Sequence, residues 1–326
     1  MIVINLRLIR LIRNYLKSIK IIFFICTVML FPLFLTQANS QSLSDKKILV
    51  IYPESSATYQ RIYDIIIKGM KSNSNIDILS KTFANNSDVT SIEQQVKKTN
   101  ANAVIALGKT GKLFSQQLKL DVPIITGAHV IAETGKASVS LDADPYILFK
   151  RLILLKPNIK TVYVIYNKRN THWLIKNALI TSKKFKLKLK IYAADDINHA
   201  TFLLKKVTEQ AKENTSAIWL PLDPIFPIEI LLPELLRVAW NKKLVVFSNN
   251  PVDVQKGVLF AMYPDYKKIG LQLVNLAISC ANGDKIANPE PSRHLNSAIN
   301  RRTAAHLDIK VNQNHNTFNL FFPEQL

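Results

Sequence analysis

The chain has 326 residues, with 43 Lys and Arg against 23 Asp and Glu, a formal net charge of +20 and a hydrophobic fraction of 48%. That length accommodates two domains of ordinary size, and two cysteines are too few for a disulfide-stapled scaffold. So basic a balance would suit nucleic acid, but the cations are scattered without a basic motif, so nucleic acid is not expected and an anionic membrane face or acidic partner fits better.

The first twenty residues carry Arg7, Arg10, Arg13, Lys17 and Lys20 and no acid, and an apolar run follows over 21–35. Ala38 and Ser40 then supply the small residues of a cleavage site. Together these features describe a secretory signal peptide over residues 1–40. The alternative is an uncleaved anchor, but the run contains Pro32 and falls short of the ~20 residues a spanning helix needs. Cys26 lies inside the run with no lipobox, so a lipoprotein is not expected and the destination is the periplasm. Cys280 is then the one mature cysteine and reads as a small buried hydrophobe.

Short Val- and Ile-rich runs recur at 46–52, 103–107, 122–126, 161–166, 187–193, 216–220 and 244–248. They are mostly continuous instead of alternating, as in strands buried on both faces. Helical spacing fills 59–70, 91–99, 148–155, 174–182, 200–211 and 228–240. Strand–helix alternation predicts parallel sheets with right-handed crossovers. Residues 156–160 divide two such series, which predicts two similar lobes. Residues 183–190 alternate lysine with apolar groups, as in a solvated edge strand guarded by its charges. A strand-like 257–263, a helix over 264–281 closed by Asn282-Gly283, a polar stretch at 296–300 and a short helix at 301–306 complete the chain. This tail allows three crossings between lobes. The expected domains are 46–140 plus 262–293 for the first lobe and 141–261 plus 294–326 for the second.

Several chemistries lack their motifs. Gly108-Lys109-Thr110 has Ala103 where a phosphate loop needs its first glycine, and no Gly-x-Gly-x-x-Gly follows a strand. The six histidines never recur at His-x-x-x-His spacing. There is no Gly-x-Ser-x-Gly elbow. Asp142-Ala143-Asp144 resembles a fragment of a calcium loop but lacks its later ligands, and reads as a turn or cap before Pro145. No catalytic residue, metal or cofactor is expected.

In doubly wound sheets ligands sit beyond the carboxyl ends of the strands, where helix N-termini offer free N–H groups. Those positions hold Glu54, Ser55 and Ser56; Gly108, Lys109 and Thr110; His129; Asn167, Thr171 and His172; Asp223; and Asn249. Thr110 with adjoining amides suits a carboxylate, Asp223 an ammonium group, and His172 or Trp173 the flat body of a ligand. The set suggests a zwitterion such as an amino acid. Residues of these types also serve simply as helix caps.

The order and wording of the chain resemble the periplasmic substrate-binding proteins of a group of bacterial ABC transporters. Residues 103–108 with 122–125 are similar to that family's strand–Gly-loop–helix–strand unit, and residues 152–166 to its entry into the second lobe. The closing segment is similar through 244–248, 257–259, Asp265-Tyr266, Gly270, Gly283 and Asn300. The resemblance implies a type I periplasmic binding fold: α/β, with two Rossmann-like doubly wound lobes joined by a hinge. It further implies a monomer that captures a small-molecule ligand for an inner-membrane ABC permease. Asp223 matches the family's acid after a Leu-Pro strand. Gly108-Lys109-Thr110-Gly111 departs from its usual Gly-Thr-Pro-Ala, and His129-Val130 replaces its Asp-Pro loop. Two alternatives stand: a periplasmic sensor of the same fold, and an exported enzyme on an α/β scaffold.

Overall fold

The apolar runs form the interior strands of two separate sheets. The computed structural model describes residues 46–72, 76–84, 89–130, 135–225, 228–286, 288–311 and 318–324; the expected signal peptide lies outside them. The first sheet contains β1 (Lys47–Pro53), β2 (Asp77–Phe83), β3 (Ala103–Leu107), β4 (Ile124–His129), β5 (Ser138–Ala143) and β11 (Pro289–Ser292). Its spatial order is β11-β5-β4-β3-β1-β2, and every pairing is parallel. The second sheet has the order β13-β12-β10-β9-β8-β6-β7. Its members are β6 (Thr161–Tyr166), β7 (Lys188–Ala193), β8 (Ser216–Leu220), β9 (Val245–Ser248), β10 (Phe260–Pro264), β12 (Leu295–Asn300) and β13 (Leu320–Phe322). Only the β10–β12 pairing in it is antiparallel.

Each sheet is covered on both faces, which explains why its central strands read as unbroken apolar runs. On the first, α1 (Ala57–Lys71) and α9 (Tyr266–Ala281) bury one face; α2 (Val89–Thr99) and α3 (Gly108–Ser115) bury the other. On the second, α4 (Pro145–Leu155), α5 (Lys168–Lys184) and α10 (Arg301–His306) oppose α6 (Ile197–Gln210), α7 (Ile228–Asn241) and α8 (Pro251–Lys256). Phe149 of α4 meets the fully buried Trp219 of β8 edge-on with ring centroids 5.7 Å apart. Such a pair adds about 1 kcal/mol beyond the area it buries. Helices α1 and α9 approach so closely that a Cβ on Gly69 would overlap the Lys267 carbonyl, and one on Gly270 the Ile66 carbonyl.

Three crossings join the lobes. The chain leaves β5 at Ala143 and enters α4, where Asp144 caps the helix by accepting the Tyr146 N–H at 2.8 Å and Pro145 presets its first turn. It returns from β10 to α9 at Asp265, and passes again between Ser292 and Leu295. The crossings are tied together: Asp144 N–H donates to Ser292 O and Asp265 N–H to His294 O, both at 3.0 Å. The lobe boundaries expected at 140/141 and 261/262 each fall three residues inside a strand. Residues 141–143 stay with β5 in the first sheet, and 262–264 with β10 in the second. The reason is that both strands run to the crossing itself.

Candidate functional site

Because β5, β10 and β11 all end at the crossings, the carboxyl ends of both sheets lie on the side where the lobes join. On the first lobe, β1 leads through Glu54, Ser55 and Ser56 into α1, all three exposed. Beside them β3 leads into α3 through Gly108, Lys109 and Thr110; the glycine is buried and the other two exposed. Gly108 sits at φ 79°, and the Tyr63 hydroxyl lies where its Cβ would stand. Neither Ser56 before α1 nor Leu107 before α3 makes a side-chain cap. Both helices therefore begin without a side-chain cap, and uncapped first-turn N–H groups are the kind an anion can accept.

His129 is placed differently. A register slip between β4 and β5, with Ala128 at φ 57°, turns it inward. There it is buried, with Nε2 3.0 Å from Thr126 Oγ1.

The second lobe's wall is an internally bonded network. The Asp223 carboxylate receives the Thr171 hydroxyl at 2.5 Å, the Asn167 N–H at 2.6 Å and the Ile225 N–H at 3.1 Å. It thus ties the loop after β8 to the start of α5. Asn167 also caps α5 through Arg169 N–H at 2.9 Å. His172 stacks on Tyr166 at the end of β6, with centroids 6.3 Å apart. Trp173, in contrast, lies within the hydrophobic core, so it is no platform for a ligand. Asn249 is buried and committed at both ends: Oδ1 accepts Trp219 Nε1–H at 2.9 Å, and Nδ2 reaches Asp142 Oδ1 at 3.3 Å. Of the twelve candidates, Glu54, Ser55, Ser56, Lys109 and Thr110 are open to solvent, Asn167 and His172 half-buried, and Gly108, His129, Thr171, Asp223 and Asn249 buried.

Two groups escaped the sequence reading. The first is a set of tyrosines. Tyr52 and Tyr63 pack at 5.6 Å, and Tyr59, Tyr263 and Tyr266 gather where α1, the end of β10 and the start of α9 meet. Burial pushes the phenols of Tyr63, Tyr263 and Tyr266 above their ordinary range, and a neighbouring phenol adds to the rise in each. The signals available were the Tyr59–Tyr63 spacing on one helix face and the Tyr263-Pro264-Asp265-Tyr266 crossing. The second is Asp142, fully buried at the end of β5; its sequence looked like a turn.

A cavity of about 290 Å³ lies elsewhere, at the amino ends of β9 and β10, lined by Trp240, Lys256, Arg302 and His306 among others. Its Asn300, Thr303 and His306 side chains already bond to the protein. Among the described residues no cluster of His, Cys, Asp and Glu could hold a metal ion, and no helix is long and apolar enough to cross a membrane.

Two doubly wound lobes joined by three crossings define the class of type I periplasmic binding proteins. The chain belongs to the ABC transporter substrate binding protein family, whose model matches residues 47–317. Among solved structures it is similar to the ligand-free, open form of CD0873, a substrate binding protein with adhesive properties from Clostridium difficile. Identity there is 16%, coverage 85% of this chain and 98% of that one, and the TM-score 0.56. It is also similar to an ABC domain in complex with L-Trp from Streptococcus pneumonia, at 18% identity, 85% and 100% coverage and a TM-score of 0.50. A conserved domain protein from Vibrio cholerae gives 15% identity, 85% and 99% coverage and a TM-score of 0.50. Among curated proteins, no sequence matches the chain.

Proposed function

We propose that this protein is the extracytoplasmic solute-binding component of an ABC-type uptake system, a monomer that closes by hinge motion around a small amino-acid-like ligand. The observation that carries the reading is the family match over residues 47–317, laid on two lobes joined where their strands end. Residues 1–40 direct export to the periplasm, and the closed form is delivered to a permease in the inner membrane. The role is binding, with no reaction catalysed.

The contrast between the two walls supports the ligand class. Uncapped N-termini of α1 and α3, with Ser55, Ser56, Lys109 and Thr110, form an electropositive corner suited to a carboxylate. Asp223 brings negative charge to the opposite wall, where an ammonium group would find it. Tyr59 and Tyr266 offer flat apolar surface beside them. Ligand contact with both walls shifts the lobes toward closure.

A thermal-shift screen of amino acids, small peptides, sugars and inorganic anions, followed by calorimetry, tests the reading. L-Tryptophan belongs in the first set because the Streptococcus structure contains it. A solute that binds only the folded protein raises its melting temperature. Thr110→Ala and Asp223→Ala should each weaken the binding found; unchanged affinity in both would remove this site assignment.

A further inference from the structure

Asp142 connects the first lobe to the second. Its Oδ1 accepts the Leu222 N–H and the Asn249 Nδ2–H, each at 3.3 Å, and both donors belong to the second lobe. Through Asn249 the connection continues to the Trp219 indole at 2.9 Å. On its own side the Asp142 N–H donates to Ser140 Oγ at 3.1 Å, and that hydroxyl donates to Val130 O at 3.1 Å. The second carboxyl oxygen, Oδ2, stands 3.5 Å from the same Ser140 Oγ. Every side-chain or backbone contact to the carboxyl thus comes from a donor, and the one from Ser140 is long.

Burial and a neighbouring charge nevertheless oppose ionisation of Asp142. Burial pushes the carboxyl up to about 7, and the charge of Asp223 adds to the rise against the bonds from Leu222, Asn249 and Ser140. The neighbouring elements bring other titratable groups: His129 on β4 pairs in register with Ser140, Glu290 on β11 pairs with Val139, Tyr263 lies on the adjoining β10, Tyr266, Lys267, Lys268 and Cys280 lie on α9, and Asp223 follows β8. Ionisation therefore sets two carboxylates against each other across the junction of the lobes.

We propose that Asp142 is a positioning residue of the ligand site: its protonated carboxyl holds the 222–223 loop and Asn249 against the first lobe, and its ionisation beside Asp223 loosens them, so that solute is held more tightly at acidic than at alkaline pH. The ligand half of this statement rests on the proposed function; the hinge half does not. The two are therefore tested separately.

In the ligand-free protein, tryptophan fluorescence followed from pH 5.5 to 8.5 should show one step near pH 7, assigned to Trp219 by its absence from Trp219→Phe. Asp142→Asn, which keeps a carbonyl acceptor for Leu222 and Asn249, should abolish the step. Asp223→Asn, which keeps Asp142 ionisable but removes the opposing charge, should move the midpoint down by about one unit. His129→Asn should leave it in place. A step that survives in Asp142→Asn with its midpoint unmoved in Asp223→Asn, or one removed by His129→Asn instead, overturns the assignment. With L-tryptophan or another solute from the screen, affinity at pH 6 should exceed that at pH 8 at least threefold, and Asp142→Asn should bring the ratio to one. A fluorescence step with no solute bound at either pH supports the hinge role while counting against solute capture alone.

Discussion

Thr171 donates its hydroxyl to the Asp223 carboxylate across 2.5 Å, joining the first turn of α5 to a loop 52 positions later in the chain. With the Asn167 and Ile225 amides, three donors converge on one buried carboxylate, so the second lobe's wall is preset before any solute arrives. Removing the acceptor leaves those donors without their partner, at about 1–3 kcal/mol for each that stays buried and unsatisfied. Asp223→Ala should destabilise the protein by about 2–4 kcal/mol in urea unfolding, and Thr171→Val by about 1–2. The double variant should fall short of the sum, since the two changes delete one shared bond. Full additivity would mean that the bond contributes nothing.

A second prediction concerns Gly108, where the chain turns from β3 into α3. At φ 79° a side chain is strained by about 1–2 kcal/mol, and here it would also meet the Tyr63 hydroxyl. Gly108→Ala should therefore lower stability by about 2 kcal/mol or more. Tyr63→Phe removes the colliding oxygen and leaves the backbone strain. The pair Tyr63→Phe, Gly108→Ala should recover part of the loss, which thermal unfolding of the four proteins would measure. No recovery would place the whole cost in the backbone.

The parts of the fold that sequence disclosed are those buried on both faces. The runs at 103–107, 161–166 and 216–220 coincide with β3, β6 and β8, because central parallel strands admit only apolar side chains. The edge strand β2 was missed, since Asp77, Lys81 and Thr82 give it the look of a surface loop. The short edge strands β11 and β13 were missed for the same reason, one holding two prolines and the other three residues. β5 was missed although it lies inside the sheet; Ser138, Ser140 and Asp142 are polar, and the three hydrogen bonds that satisfy Ser140 Oγ and Asp142 Oδ1 come from other segments of the chain. The site shows the same division. Candidates at helix starts could be found by position alone, but whether such a residue is open to solvent or bonds inward, as Asn249 does, depends on partners brought together only by folding.

Trp219 offers a third test, because its ring is wholly buried and its indole N–H is bound to Asn249. Trp219→Phe retains most of the aromatic packing against Phe149 and Phe247, but it opens a small cavity and leaves the Asn249 carbonyl oxygen without its donor. A loss of about 2–4 kcal/mol is expected from the two effects together. Trp219→Phe combined with Asn249→Ala should cost less than the two single changes summed, as urea unfolding would show.

The fourth prediction follows from the proton on Asp142. Its folded-state value of about 7 stands above the ordinary 3.8, so the folded protein binds this proton more tightly than the unfolded chain does. The associated stability is fully present below about pH 4, declines as the pH rises, and is gone above the folded-state value. Its slope between those limits approaches about 1.4 kcal/mol per pH unit. Asp142→Asn carries no titrating proton and keeps the acceptor for Leu222 and Asn249. Variant and wild type should then differ little near pH 4.5, while at pH 8 the variant should be the more stable by about 1–3 kcal/mol, the full shift being discounted for relaxation around the charge. The other carboxylates titrate alike in both proteins and cancel in the difference. Urea unfolding at half-unit intervals from pH 4.5 to 8 would resolve it, and two parallel stability curves would show that Asp142 is ionised in the fold at no cost.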